Sequence, residues 1–245
     1  MMNAWRCGAC LLALVGLLAG YPCTTASAPF IVVSPPHAGS TVAGYEDDAP
    51  LGFSQQHFQQ IIAPSLIPGI SAGDSITALG FRVVTGGTAV PAQVVPNYQI
   101  WLSQSANIPG EMSATFASNR GTDFTLVRGG SLAITENMFP GGVGLNAFGM
   151  ISFATPYVYK GGSLLIEISY DAFPAGGSMA DSEVPFDEDV ARTGFVDGSS
   201  GTIADRLYGE AIVMAFEVVP VPEPSTGFFL AGGLFLLLLA AWRRR

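Results

Sequence analysis

Five carboxylates crowd a short stretch of the chain: Asp181, Glu183, Asp187, Glu188 and Asp189, all before Val190 and followed by Asp197-Gly198-Ser199. Hard cations take oxygen ligands, and calcium takes them from acidic loops of this kind. The spacing matches no EF-hand, and a run of acids is ordinarily just solvated. Calcium is therefore the one cofactor the residues raise, against the plainer alternative of a solvated charge run. Glu46-Asp47-Asp48 is a weaker cluster of the same type. A glycosidase would need two carboxyls at a defined separation, one with a raised pKa, and nineteen acids cannot select two.

Other chemistries find less to work with. A serine hydrolase needs a base beside its nucleophile and a third group to orient that base. The chain has two histidines, His37 and His57, no Gly-x-Ser-x-Gly, and too few ligands for a histidine-rich zinc site. Both histidines read as surface or loop residues, and the chain reads as a non-enzyme. Aromatic rings are the remaining candidates, since exposed rings stack on sugars. Among Tyr98, Trp101, Tyr157 and Tyr159, Trp101 falls on the face opposite Tyr98, Ile100 and Leu102, which makes Trp101 and Tyr98 the candidate glycan contacts. Packing in a core is the competing expectation for each ring. The Gly-Gly pairs sit between strand-like runs, not before helices, and read as turns instead of nucleotide sites.

The elements that would position these residues are strands. Between 28 and 220 no long helical period occurs, and short β-prone runs alternate with Gly, Pro, Asn and Ser. Ser75–Thr85 places Leu79, Phe81 and Val83 on one face and Arg82 on the other. Tyr98–Ser103, Gly149–Phe153, Ser163–Tyr170 and Ala211–Val219 read likewise. Phe124–Val127 and Ser131–Thr135 flank Gly129-Gly130, which reads as a hairpin turn. A single helical turn is expected near Phe53–Ile62. The pattern predicts an all-β chain, a single antiparallel β-sandwich of jelly-roll type over 27–219.

Both ends carry different physics. Arg6, the apolar run Leu11–Ala19 and the small residues at Thr24-Thr25-Ala26 predict a signal peptide over 1–26, cut by signal peptidase after Ala26. Cys7, Cys10 and Cys23 all precede that cut, so the exported chain would hold no disulfide, thiolate site or cysteine nucleophile. Four of the ten basic residues lie in the terminal segments. Arg82, Arg120, Arg128, Lys160, Arg192 and Arg206 are left in between, far outnumbered by acids, and the whole chain carries −9. Such a surface repels nucleic acid and anionic lipid.

At the C-terminus, 220–245, the order is Pro-Val-Pro-Glu-Pro-Ser-Thr, an uncharged apolar run from Gly227 to Trp242, then Arg243, Arg244 and Arg245. As a helix the run spans about 24 Å, short of a hydrocarbon core of about 30 Å, so local thinning must cover the difference. Its leucines and phenylalanines favour insertion, and the three arginines act as a membrane stop that stays cytoplasmic. This order resembles the PEP-CTERM sorting signal of Gram-negative, biofilm-forming bacteria. The resemblance implies that Pro222, Glu223 and Pro224 are recognised by exosortase, a membrane protease-transpeptidase. It also implies that the chain, anchored in the inner membrane until processed, reaches the cell surface or the exopolysaccharide matrix. Two prolines fit that role, because they forbid helix and keep the segment extended. Gln59-Gln60 with Pro64-Ser65-Leu66, Ile76–Arg82, Tyr98–Ser103, Thr115–Asn119 and Ser163–Ile168 are similar to a β-rich ectodomain that recurs among PEP-CTERM proteins. That second likeness implies a sandwich and no catalytic residue. The expected role is structural and biofilm-associated. A carbohydrate-binding module is the alternative, and a polysaccharide- or peptide-acting hydrolase a more distant one.

Overall fold

The alternating runs fold as strands throughout. A computed structural model describes residues 28–221, apart from 53 and 185. The signal peptide, Pro222, Glu223, Pro224, the apolar run 227–242 and Arg243, Arg244 and Arg245 lie outside the described residues. Among the described residues no helix is long and apolar enough to cross a membrane.

The described strands, in chain order, are β1 (Phe30–Ser34), β2 (Tyr45–Asp47), β3 (Gln56–Ile62), β4 (Ser75–Phe81), β5 (Gln93–Val95), β6 (Gln99–Gln104), β7 (Thr125–Arg128), β8 (Leu132–Ile134), β9 (Gly149–Val158), β10 (Leu164–Tyr170), β11 (Ala180–Glu183), β12 (Ala191–Asp197), β13 (Arg206–Tyr208), β14 (Ala211–Ile212) and β15 (Met214–Val219). They form a four-stranded sheet β1-β15-β4-β9, a six-stranded sheet β13-β12-β3-β10-β6-β7, a three-stranded sheet β14-β11-β2 and a pair β5-β8. The neighbours pair antiparallel, so the chain is all-β with several antiparallel sheets. The first strand lies beside the last: Phe30 faces Val218 and Ser34 faces Met214.

One buried cluster draws on every sheet. Val32, Leu79 and Phe216 come from the four-stranded sheet, Phe58, Leu102 and Ile166 from the six-stranded one, Ala180 and Ile212 from the three-stranded one, and Val95 and Leu132 from the pair. Complete burial of a side chain such as Phe58 or Phe216 is worth about 1.5–3 kcal/mol each.

Two expectations change. The segment 56–62 is not a helical turn but β3, buried at every position and paired on both sides, by β10 and β12. Gly129-Gly130 does not close a hairpin either, because β7 pairs with β6 while β8 pairs with β5. Gly130 has φ 82°, a conformation glycine takes at no steric cost, and the chain there passes from one sheet to another.

The six-stranded sheet is covered on both faces. Phe58, Gln60 and Ile62 share a face with Ile166, Ile168 and Tyr170, and point to the large core. His57, Gln59, Ile61, Leu165, Glu167 and Ser169 take the other face. There Met112 and Phe124 pack on Ile61 and Leu165, and the Phe116 ring meets His57 edge-on at 4.7 Å between centroids. The segment from 105 to 124 is thus a lid of irregular chain over a sheet face.

Candidate functional site

The structure disperses the five acids of 181–189. Asp181 and Glu183 are on strand β11, not in a loop, and Asp181 is 1% exposed. Arg82 donates to Asp181 Oδ2 from Nε at 2.7 Å and from Nη2 at 2.5 Å, and the backbone N–H groups of Ala43 and Gly44 donate to the same carboxylate. Arg82 also donates to the carbonyls of Ala38 and Thr41, so the pair staples residues 38–44 over β4. Arg82 does leave the face of Leu79 and Phe81, yet it ends 1% exposed because that segment covers it.

Glu183 instead meets His37, with Oε2 2.9 Å from Nε2. Asp187 accepts from the Asp189 N–H, and Glu188 pairs with Arg192 at 3.3 Å. Among the described residues no three His, Cys, Asp or Glu side chains converge to hold a metal. The calcium expectation on Asp181, Glu183, Asp187, Glu188 and Asp189 therefore gives way to separate structural roles.

The glycan candidates are likewise occupied. Tyr98 is fully buried, stacked on Tyr170 at 5.4 Å with its hydroxyl donating to the Pro50 carbonyl, so its ring is core and reaches no ligand. Trp101 is half-buried, and one face of its indole lies parallel to Phe124 at 6.1 Å. Tyr157 and Tyr159 are buried, donating to Asp123 Oδ2 and to the Gly162 carbonyl.

His57 is not a surface histidine. Alternation along β3 points it under the 105–124 lid, where Nδ1 lies 2.5 Å from the Gly201 carbonyl and Nε2 2.8 Å from Glu167 Oε1. Glu167, 1% exposed, also accepts from Gln59 Nε2 and from Arg120 Nε and Nη2. Burial alone would raise its pKa, but hydrogen bonds from His57, Arg120 and Gln59 outweigh it and hold the carboxyl below its ordinary value. Asn119 closes the network by donating to Gln59 Oε1 and to the Ser113 carbonyl. Both ring nitrogens of His57 are engaged inside the domain, one by the Gly201 carbonyl and one by Glu167.

An open cleft of about 330 Å³ lies elsewhere, walled by Tyr45 and Asp47 of β2, Arg206 and Tyr208 of β13, Phe195 of β12 and the Glu210 side chain. Strand pairing brings these parts together. Phe195 is the register partner of Arg206, and the tilted Phe195 and Tyr208 rings stand 6.0 Å apart. Tyr45 is 51% exposed and Tyr208 38%. The Arg206 guanidinium sits 5.9 Å from the Tyr208 ring centroid.

Glu46, Asp48 and Asp197 add further acid to the walls. Burial first, and then the neighbouring Glu210 carboxyl, push the Asp47 pKa up to about 8; Glu210 is itself raised by burial and by Asp48. At neutral pH the pair therefore retains a proton.

Glu46, Asp47 and Asp48 stand out in the sequence as a cluster, but Glu210, Tyr45 and Tyr208 do not. The available signal is the position of Glu210, a lone acid opening the apolar run Ala211–Phe216. Glu167 inside Leu164–Ile168 carries the same mark. No protein-family model matches the chain, and no characterised protein compared with it matches either.

Proposed function

We propose that this chain is an exported, non-enzymatic cell-surface or matrix protein of a Gram-negative cell. In this reading signal peptidase frees the N-terminus, exosortase acts at Pro222-Glu223-Pro224, and the apolar run with Arg243, Arg244 and Arg245 anchors the chain in the inner membrane until then. The part delivered is a single antiparallel sandwich, jelly-roll-like, with the four- and six-stranded sheets as its walls. It serves the exopolysaccharide or biofilm matrix and does not engage nucleic acid.

The observation carrying the reading is the order of three parts in 220–245, a Pro-Glu-Pro triplet, an uncharged apolar run and terminal arginines. Replacing Pro222 and Pro224 by alanine in an exosortase-bearing host is expected to leave the uncut chain in the membrane fraction. Normal processing and release of that variant would overturn the sorting proposal.

A second reading is a saccharide-binding role, favoured by the two partly exposed tyrosines over the carboxyl-lined cleft. Carboxylates accept hydrogen bonds from sugar hydroxyls, and ring faces receive sugar C–H groups. Affinity electrophoresis in gels containing the host's own exopolysaccharide tests it. Retardation that Tyr208→Ala abolishes is the expected result, and equal mobility with and without polymer would count against it.

A further inference from the structure

We infer that the cleft between β2 and β13 takes an amino sugar with a free ammonium group, in preference to a neutral or N-acylated saccharide. The inference rests on the saccharide reading of this cleft and adds the charge of its ligand. Its first support is electrostatic. Asp47, Asp48, Glu210 and Asp197 face the cavity with Arg206 as the one basic residue in its walls, and the Arg206 guanidinium lies near the Tyr208 ring with no ion pair among the described residues. A lined cavity of this sign favours a cation.

A bare metal ion is not the fitting cation, since among the described residues no three acids converge to hold one. An ammonium needs no such shell: it takes one or two carboxylates and the face of an aromatic ring. Tyr45 and Tyr208 offer those faces at the rim. The volume of about 330 Å³ is at the small end of ligand sites and suits a sugar unit more than a long segment of chain.

Burial and neighbouring carboxyls raise both Asp47 and Glu210, so the walls of the cavity hold crowded carboxyls whose charge a bound ammonium would offset.

The test is calorimetric titration of the full chain in detergent, at physiological salt, with tri-glucosamine, tri-N-acetylglucosamine, maltotriose and ethanolamine. Tri-glucosamine is expected to bind at least tenfold more tightly than each of the other three. Asp47→Asn with Glu210→Gln should lower that affinity by tenfold or more. These substitutions remove crowded buried carboxyls, and an unchanged melting temperature or a higher one verifies the fold. Equal binding of the N-acetylated and free-amine trimers would overturn the ammonium inference and leave the saccharide reading standing. Equal binding of ethanolamine would overturn the sugar part. Binding by none of the four would overturn both.

Discussion

Single residues decide what this domain's buried polar groups are for. Glu167 answers to His57, Gln59 and Arg120 together, so Glu167→Ala is expected to cost about 3–5 kcal/mol in urea unfolding, the magnitude for leaving buried charges unpaired. Its depressed pKa contributes stability above the ordinary carboxylate range that is lost as pH falls through the folded value. Asp47 works in the opposite sense. A pKa raised from 3.8 to about 8 means that its contribution is complete in acid and is lost progressively as pH rises from about 4 to about 8. Asp47→Asn should therefore melt at a temperature near the unsubstituted protein's at pH 4 and several degrees higher at pH 9, read by circular dichroism. Neither role is legible in composition. An acid inside an apolar run marks burial, but only strand pairing tells which partner will meet it, and Glu167 and Gln59 lie 108 residues apart.

At the scale of elements, legibility follows whether one face of a strand is wet. β4, β6, β10 and β15 alternate or run apolar as half-buried and buried strands do, and the sequence shows them. β3 does not, because the lid at 105–124 lets polar residues be buried on its outer face while Gln56 and Gln60 are buried on its inner one. The β7–β8 turn fails for another reason. A Gly-Gly pair specifies a change of direction, not the sheet that the next strand joins. The lid should be separable in energy from the sheets: Phe116→Ala is expected to destabilise by about 3–5 kcal/mol in chemical denaturation and to speed amide exchange of Gln59 and His57. On the four-stranded sheet, a methyl on Gly149 would run into the Phe139 ring and the Met138 carbonyl. Gly149→Ala should cost about 1–3 kcal/mol by the same assay.

For the whole molecule, the pairing of β1 with β15 sets the two chain ends of the domain side by side, Phe30 against Val218. Neighbouring strands are about 5 Å apart, so a short glycine linker can join 28 to 220. A circular permutant with new ends at Val143, which is 98% exposed, is expected to keep a melting temperature within a few degrees of the natural order. The same adjacency has a mechanical consequence. Tension applied between the two ends would peel β1 from β15 rung by rung, as a zipper opens, instead of shearing all the rungs at once. A domain tethered at its tail and tugged at its head would thus yield by that strand first, at low force, while the six-stranded sheet bears no load.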